Sequence, residues 1–317
     1  MLRVLLFLCL HVQCGLLYCH TSALSYAASC AVSFLHSFTS CHSNLMSVMQ
    51  IWVQCWFLNW GMLMKIASWN VNSLNVRLPH VLQWLENHPV DVLALQELKL
   101  DQDKFPISAI EEAGYHAVWF GQKTYNGVAL LFKGEATDVV TGIPNYADEQ
   151  RRMIAATING VRIINVYCVN GEAVDSAKFA YKREWFAALN AFVAQEMQQH
   201  EQVVLLGDFN IAPADLDVYD AEKWHGKILC STDERHWFQQ LLALGLHDSF
   251  RSKRPEDVQY TWWDYRMNMF KRKLGLRIDH IFVSTALKET IVTVDVDEIA
   301  RSWERPSDHA PITLEVA

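Results

Sequence analysis

The first 63 residues contain no aspartate or glutamate and a single basic residue, Arg3. Beyond Leu63 the balance inverts, with 26 lysines and arginines set against 35 acidic residues. So abrupt a change in charge density argues against one fold built from both regions. Cysteine is divided as unevenly. Cys9, Cys14, Cys19, Cys30, Cys41 and Cys55 precede Met64, and only Cys168 and Cys230 follow it. Neither of those two sits in a cluster with zinc-ligand spacing, so both read as packing residues. From Met64 onward there is no Pro/Gly/Ser-rich linker and no short-period repeat, which excludes a string of small domains or a solenoid. A chain that is 51% hydrophobic and 20% charged is not disordered.

Three readings compete for residues 1–63. Arg3, the apolar run Val4 to Leu10 and the small residues Ala27-Ala28 suit a signal peptide. The uncharged stretch Leu45 to Leu63 approaches the length of a membrane span, but Ser47, Gln50, Gln54 and Asn59 interrupt it. The third reading is a start assigned too early, with Met62 or Met64 as the true one. It is favoured because the strand-like Lys65-Ile66-Ala67-Ser68-Trp69 begins directly after Met64. Residues 64–317 then form one catalytic domain with two cysteines, suited to a reducing cytoplasm and without membrane contact.

Short apolar, β-branched runs recur through this region. They are Asp91–Leu95, Val128–Phe132, Val161–Val166, Val203–Leu206, Ile278–Val283, Ile291–Val296 and Ile312–Leu314, and they predict buried strands. Leu78, Val81, Leu82 and Leu85 share a helix face, as do Phe179, Phe186, Leu189, Phe192, Val193 and Met197, and then Trp237, Leu241, Leu242 and Leu244. About ten strands and at least three helices imply two packed sheets with helices outside.

Polar clusters stand at the ends of these runs, where loops project side chains into a shared cleft. They are Trp69-Asn70-Val71-Asn72, Gln96-Glu97-Leu98-Lys99, Asn165-Val166-Tyr167, Gly207-Asp208-Phe209-Asn210, Arg277-Ile278-Asp279-His280 and Ser307-Asp308-His309. Taken singly, each is more often a turn former or a helix cap than a catalyst. Their order and spacing along the domain carry the signal.

That order, together with Trp263-Asp264-Tyr265-Arg266, Gly275-Leu276-Arg277-Ile278-Asp279 and Arg305-Pro306-Ser307-Asp308-His309-Ala310-Pro311, resembles the exonuclease III family of DNA-repair nucleases within the DNase I-like superfamily. The resemblance runs from about Met64 to the C-terminus. It implies a four-layer α/β sandwich of two mixed sheets flanked by helices. It also implies a Mg2+-dependent phosphodiesterase, with Mn2+ as a possible substitute. A hard cation would neutralise phosphoryl charge while held by few carboxylates. Glu97 matches the family's metal-binding glutamate. Asn72 stands where some relatives carry an aspartate, and Asp308, Asp208, Asn210 and His309 complete the candidate ligand set.

By the same resemblance Asp208 aligns or deprotonates the attacking water, with general acid as its alternative role. Asn210 orients Asp208, Asp279 fixes the tautomer of His309 against the scissile phosphate, and Asn70 and Tyr167 hold phosphate oxygens. Trp262 and Leu276, with Arg266 nearby, would line a pocket for a base-free sugar or a frayed 3′ nucleotide. Lys253-Arg254 and Lys271-Arg272-Lys273, interleaved with aromatics, suit contact with DNA phosphates despite the acidic average. The expected partner is double-stranded DNA with abasic sites or blocked 3′ ends, bound by a monomer. One rival is a DNase I-like phosphoesterase acting on a non-nucleic-acid ester, which should lack the Trp-Asp-Tyr-Arg stretch. Another is a non-catalytic DNA-binding scaffold, which would have no need to keep Glu97, Asp208, Asp279 and His309 together.

Overall fold

The computed structural model describes residues 63–317. The expectations of a targeting or membrane segment, and the six cysteines before Met64, lie outside the described residues. Numbered in chain order, β1 (Met64–Asn70), β2 (Val92–Gln96), β3 (His116–Phe120), β4 (Val128–Phe132), β11 (Ile291–Val296) and β12 (Ile312–Val316) form one sheet. The second contains β5 (Ala136–Thr141), β6 (Met153–Ile158), β7 (Val161–Tyr167), β8 (Val203–Asp208), β9 (Leu246–Asp248) and β10 (Asp279–Ser284). Strand orders are β11-β12-β1-β2-β4-β3 and β5-β6-β7-β8-β10-β9. In each sheet the central pair, β1 with β2 and β7 with β8, is parallel, and all other pairings are antiparallel.

The central strands read as unbroken apolar runs because both of their faces are covered. Ile66, Val92, Ala94 and Leu130 of one sheet meet Ile154, Ile163, Val204, Leu206 and Ile281 of the other in a shared core. On the outside of the first sheet, Trp69, Leu93 and Leu95 pack beneath α1 (Leu74–Asn87) through Val81, Trp84 and Leu85. Outside the second, Ile164 and Leu205 pack against α3 (Ala177–Gln199) and α5 (Thr232–Ala243). Four layers result, helix–sheet–sheet–helix, as the sequence implied. Among the described residues no helix is long and apolar enough to cross a membrane.

Strands β3, β5, β6 and β9 were not among the runs picked out from the sequence. Strand β9 has only three residues, β5 is an edge strand with mostly exposed positions and a register shift, and β3 is half-exposed. None of these shows the buried run that identifies a central strand. In β6 the Ala155-Ala156-Thr157 centre dilutes the β-branched signal.

Side chains alternate across a strand, so the residues facing the other sheet can be followed along each one. Ile66, Ser68 and Asn70 share that face on β1, as do Val92, Ala94 and Gln96 on β2. On β7 they are Ile163, Asn165 and Tyr167, and on β8 Val204, Leu206 and Asp208. In all four the interior turns from apolar to polar toward the carboxyl end. At this boundary Gln96 Nε2 donates to Ser68 Oγ (3.0 Å) and, across the sheets, to Asn165 Oδ1 (2.8 Å). Asn165 Nδ2 donates to the carbonyls of Leu95 (3.0 Å) and Ala129 (2.9 Å). The amide bridge fixes one sheet against the other directly beneath the polar ends of β1, β2, β7 and β8.

Candidate active site

Backbone pairing sets the arrangement before any side chain is considered. Asn70 is in register with Gln96, and Asp208 with both Tyr167 and Asp279. Gly207 makes the last register possible. Its φ is 136°, and a Cβ there would lie 1.9 Å from the Val166 carbonyl oxygen, so only glycine permits this approach. The loops leaving these ends hold Asn72, Ser73, Glu97, Lys99 and Asn210 at positive φ. Left-handed backbone at five non-glycine residues around one cleft is costly, and such costs concentrate at functional sites.

Asn70 joins the two carboxylates. Its Nδ2 donates to Glu97 Oε1 and to Asp208 Oδ2, both at 2.9 Å, and its Oδ1 accepts from the Asn72 amide (3.0 Å). The amide expected to hold phosphate oxygens is thus engaged in spacing Glu97 from Asp208. Asp208 is almost fully buried, and its Oδ1 accepts from the backbone N–H of Asn210 (2.9 Å). Asn210 therefore orients this carboxylate through its main chain. Its side chain instead donates to the Cys168 carbonyl (3.1 Å) and accepts from Asn170 (2.9 Å).

His309 Nδ1 lies 2.8 Å from Asp279 Oδ2, and its Nε2 points at Asp208 Oδ2, 3.8 Å away. Ser307 Oγ donates to the Asn70 carbonyl (2.6 Å) and accepts from the His309 amide (3.2 Å), tying this loop to the end of β1. Burial disfavours the imidazolium, but Asp279 and then Asp208 outweigh it, and the His309 pKa is pushed up to about 10. Burial raises the Asp208 carboxyl to about 7; His309 opposes this, while Asp279 and Glu97 add to it.

Ligand atoms of Glu97, Asp208 and His309 lie within 4.8 Å of one another, a separation that one cation could bridge. Asn72 and Asp308 stand beside this group but are engaged with other residues. Asn72 Oδ1 accepts from Lys99 Nζ (2.6 Å) and its Nδ2 donates to Asp308 Oδ1 (2.9 Å), while Asp308 Oδ2 accepts from Trp262 Nε1 (3.0 Å). Burial would raise the Asp308 pKa, yet His309 and these two donors hold it below the usual carboxylate range. Lys99 also pairs with Glu97 at 2.8 Å.

Two clefts adjoin this group, one through Trp262, which donates to Asp308, and one through Glu97. One, of about 240 Å3, is lined by Tyr219, Lys223, Trp224, Lys227, Trp262 and Arg266. The other, of about 530 Å3, runs past Glu97, Lys99, Tyr125, Arg152, Tyr167 and Asn170. Trp262 pairs through its backbone with both Leu276 and His309, so one wall of the smaller cleft is continuous with the segment that carries His309. Leu276 is fully buried and supports Trp262 from below without lining the cleft. Arg266 is highly exposed, and its guanidinium is paired with Asp264. Tyr167 lies under the Arg152 guanidinium, 4.7 Å from ring centroid to Cζ. Its hydroxyl pKa is well above the ordinary value because of burial and of Glu97 beside it.

The sequence marks Lys99 only as part of the cluster after β2, without a role, and does not single out Asn170 or Arg152. Sequence reasoning also attached no role to the segment Tyr219 to Cys230, which supplies half of the smaller cleft. The available signal there was Trp224 set between Lys223 and Lys227, a cation–aromatic interleaving.

The chain matches the Endonuclease/Exonuclease/phosphatase family over residues 67–309. It is 38% identical over 266 residues to exodeoxyribonuclease III of Haemophilus influenzae, an alignment covering 80% of this chain and 99% of that protein. Among solved structures, a 3′ phosphatase from Neisseria bound to product DNA hairpin is 62% identical, with a TM-score of 0.79 and coverage of 80% of this chain and 99% of that one. An AP endonuclease from Archaeoglobus fulgidus is 35% identical, with a TM-score of 0.76 over 79% of this chain and 98% of that one. With its carboxylates, histidine and clefts assembled on this fold, the chain belongs to the endonuclease/exonuclease/phosphatase family, and within it to the exonuclease III type.

Proposed function

We propose that this protein is a divalent-metal-dependent DNA-repair phosphodiesterase that processes blocked 3′ ends and incises at abasic sites. The observation that carries the reading is Asp208 held between Asn70–Glu97 on one side and His309–Asp279 on the other, with Glu97 also lining the larger cleft. The relatives named for exodeoxyribonuclease III and 3′ phosphatase activity support a nucleic-acid ester as substrate.

Glu97 and Asp208 offer the hard oxygen ligands that Mg2+ takes, and Mn2+ would be accepted by the same donors. A bound ion would neutralise charge on the phosphoryl oxygens. Asn72 and Asp308 are hydrogen-bonded to Lys99, Trp262 and each other, an arrangement that suits them to positioning their neighbours. Asp279 and Asp208 favour His309 as an imidazolium, whose two nitrogens are both donors, a form suited to a phosphate oxygen.

Asp208 aligns the attacking water and takes its proton, a task suited to a carboxyl raised toward neutrality. His309 Nε2–H donates to a non-bridging phosphoryl oxygen, and Asp279 keeps that proton on Nε2 by accepting from Nδ1. The smaller cleft would receive the terminal sugar or displaced nucleotide, with Trp262 and Trp224 as apolar walls and Lys223, Lys227 and Arg266 near its phosphates. The larger cleft would take the continuing strand along Lys99 and Arg152. Free, buried Cys168 and Cys230 suit a monomer working in a reducing cytoplasm.

The test compares three labelled duplexes, carrying a 3′-phosphate, a recessed normal 3′ end or an abasic-site analogue, in Mg2+ and in EDTA. Metal-dependent cleavage of at least the 3′-phosphate duplex is expected. Equal rates in EDTA would sink the metal-dependent reading. Inactivity on all three with turnover of an inositol phosphate would favour the rival esterase.

A further inference from the structure

Lys182, in the second turn of α3, has no exposed surface and touches none of the reacting groups. An ammonium has three N–H donors, and here each has an acceptor. They are the Asn210 carbonyl (2.8 Å), the Asn170 carbonyl (3.1 Å) and Glu234 Oε1. The two carbonyls belong to the loops that leave β8 and β7. Those loops are already cross-linked where the Asn170 amide donates to Asn210 Oδ1, and the Asn210 N–H holds Asp208. Glu234 is equally occupied. It accepts from the Leu229 N–H (3.1 Å), the Ser231 N–H (3.0 Å) and Ser231 Oγ (2.6 Å). The Leu229 carbonyl in turn accepts from the Ala212 N–H (2.8 Å). The segment carrying Tyr219, Lys223, Trp224 and Lys227 is therefore anchored at its end to the same ion pair. Gly171 closes over the lysine stem, where a Cβ would come within 3.1 Å of Lys182 Cδ and 2.8 Å of Ile228 Cδ1.

A buried pair of this kind adds little stability over an apolar pair of equal volume. What an apolar pair could not do is fix two carbonyls and two amides at set distances. We infer that Lys182 and Glu234 are positioning residues that lock the hydrolytic loop after β8 to the wall of the smaller cleft. Lys182 sets Asn170 and Asn210, and Glu234 sets Leu229 and Ser231. The inference rests on the nuclease reading only in taking Asp208 as the reacting carboxylate.

Two variants test it. Lys182→Met/Glu234→Gln removes both charges together and so leaves no unpaired ion, and Glu234→Asp keeps both charges but shortens the pair. On the 3′-phosphate duplex the double variant should lose on the order of 100-fold in kcat, as a small misplacement of reacting groups costs. KM should move less than about threefold, since the cleft's own contacting side chains remain. Glu234→Asp should lose about tenfold in kcat, the smaller loss expected of a smaller displacement. Amide exchange read by mass spectrometry should accelerate in 168–171, 209–213 and 226–231 while β7 and β8 stay protected in both variants. Wild-type kcat and exchange in both variants would overturn the inference. So would exchange rising uniformly across both sheets, with kcat falling only in proportion to the folded fraction. The exchange arm needs no turnover, so failure of the nuclease reading would appear separately, as an inactive wild-type protein.

Discussion

His309 Nδ1 and Asp279 Oδ2 lie 2.8 Å apart in a pocket that excludes solvent from both. The carboxylate fixes the ring's orientation and leaves Nε2 to carry the proton that faces Asp208. It is also the main reason that His309 stays protonated to about pH 10, against the pull of burial.

Asp279→Asn should therefore change the pH profile as well as the rate. A group whose folded pKa is raised keeps its charge until pH passes that raised value. The wild-type basic limb should accordingly lie near pH 10, and the variant's should fall back toward the ordinary histidine range. Loss of the orienting carboxylate should lower kcat/KM by on the order of 10³-fold, by analogy with other acid-oriented histidines. Profiles of kcat/KM against pH that superimpose after scaling would refute the role given to Asp279.

Asp208→Asn should be inactive yet more heat-stable when metal is removed with EDTA. The Asp208 carboxyl is raised to about 7 from an ordinary 3.8, first by burial. The folded state thus binds a proton that the unfolded state has released, and stability falls as pH rises between those values. An asparagine carries no such charge and can still accept from the Asn210 N–H. The variant's gain should reach a few kcal/mol at pH 8 and vanish near pH 4. Thermal melts at the two pH values check it, and an equal difference at both would contradict the assignment.

Much of this site was legible because the chemistry sits where strands end. Val203–Leu206 declares a buried strand, so Asp208 must emerge at its end, and the same holds for Glu97 after β2 and Asp279 at the start of β10. Direction of hydrogen bonding was not legible. Asn70 reads equally well as a phosphate donor or as a spacer between carboxylates, and only the fold brings Glu97 and Asp208 to either side of it. Leu276 lies in the right loop but is fully buried, paired through its backbone with Val218 and Trp262, partners that lie 58 and 14 residues away and are not apparent in the sequence. Lys182 was hidden for a different reason. A lysine within an otherwise amphipathic helix looks like solvent-facing charge until the carbonyls of Asn170 and Asn210 arrive from segments 12 and 28 residues away.

Lys99 and a metal ion should compete for Glu97. Lys99 Nζ lies 2.8 Å from Glu97 Oε2 and also binds Asn72. Glu97→Gln should weaken Mg2+ binding by tenfold or more and lower kcat by about 10²-fold, the scale of losing one charge-stabilising group. Lys99→Met should do the opposite to the ion, tightening Mg2+ binding severalfold while weakening affinity for the DNA strand. Calorimetric titration of Mg2+ into each variant, without DNA, separates the two. Unchanged affinity in Glu97→Gln would place the ion elsewhere.

The acid sensitivity of the fold should trace to His280, which neighbours Asp279 but faces the opposite side of β10. It is fully buried, with Nε2 2.9 Å from the Ile211 carbonyl and Nδ1 3.1 Å from Arg277 Nη1. Arg277 can only donate, so Nδ1 must accept and the ring is the neutral Nε2–H tautomer. Arg277 is itself fixed by Asp217 (2.7 Å) and Asp248 (2.8 Å). Burial first and then Arg277 lower the His280 pKa to about 4. The unfolded chain takes up a proton near pH 6.5 that the folded chain refuses, so stability should fall as pH drops from 6.5 toward 4 and fall no further from this residue below that. The full difference corresponds to about 3 kcal/mol. Protonation would place a second N–H, at Nδ1, against the Arg277 guanidinium, while the Nε2–H donated to the Ile211 carbonyl stays in place. His280→Gln can still donate to Ile211 and accept from Arg277 but cannot titrate. Urea denaturation at pH 7 and pH 4.5 should show wild type losing about 2 to 3 kcal/mol more than the variant between the two conditions. Equal losses would mean that acid acts through other groups and that His280 is only packed.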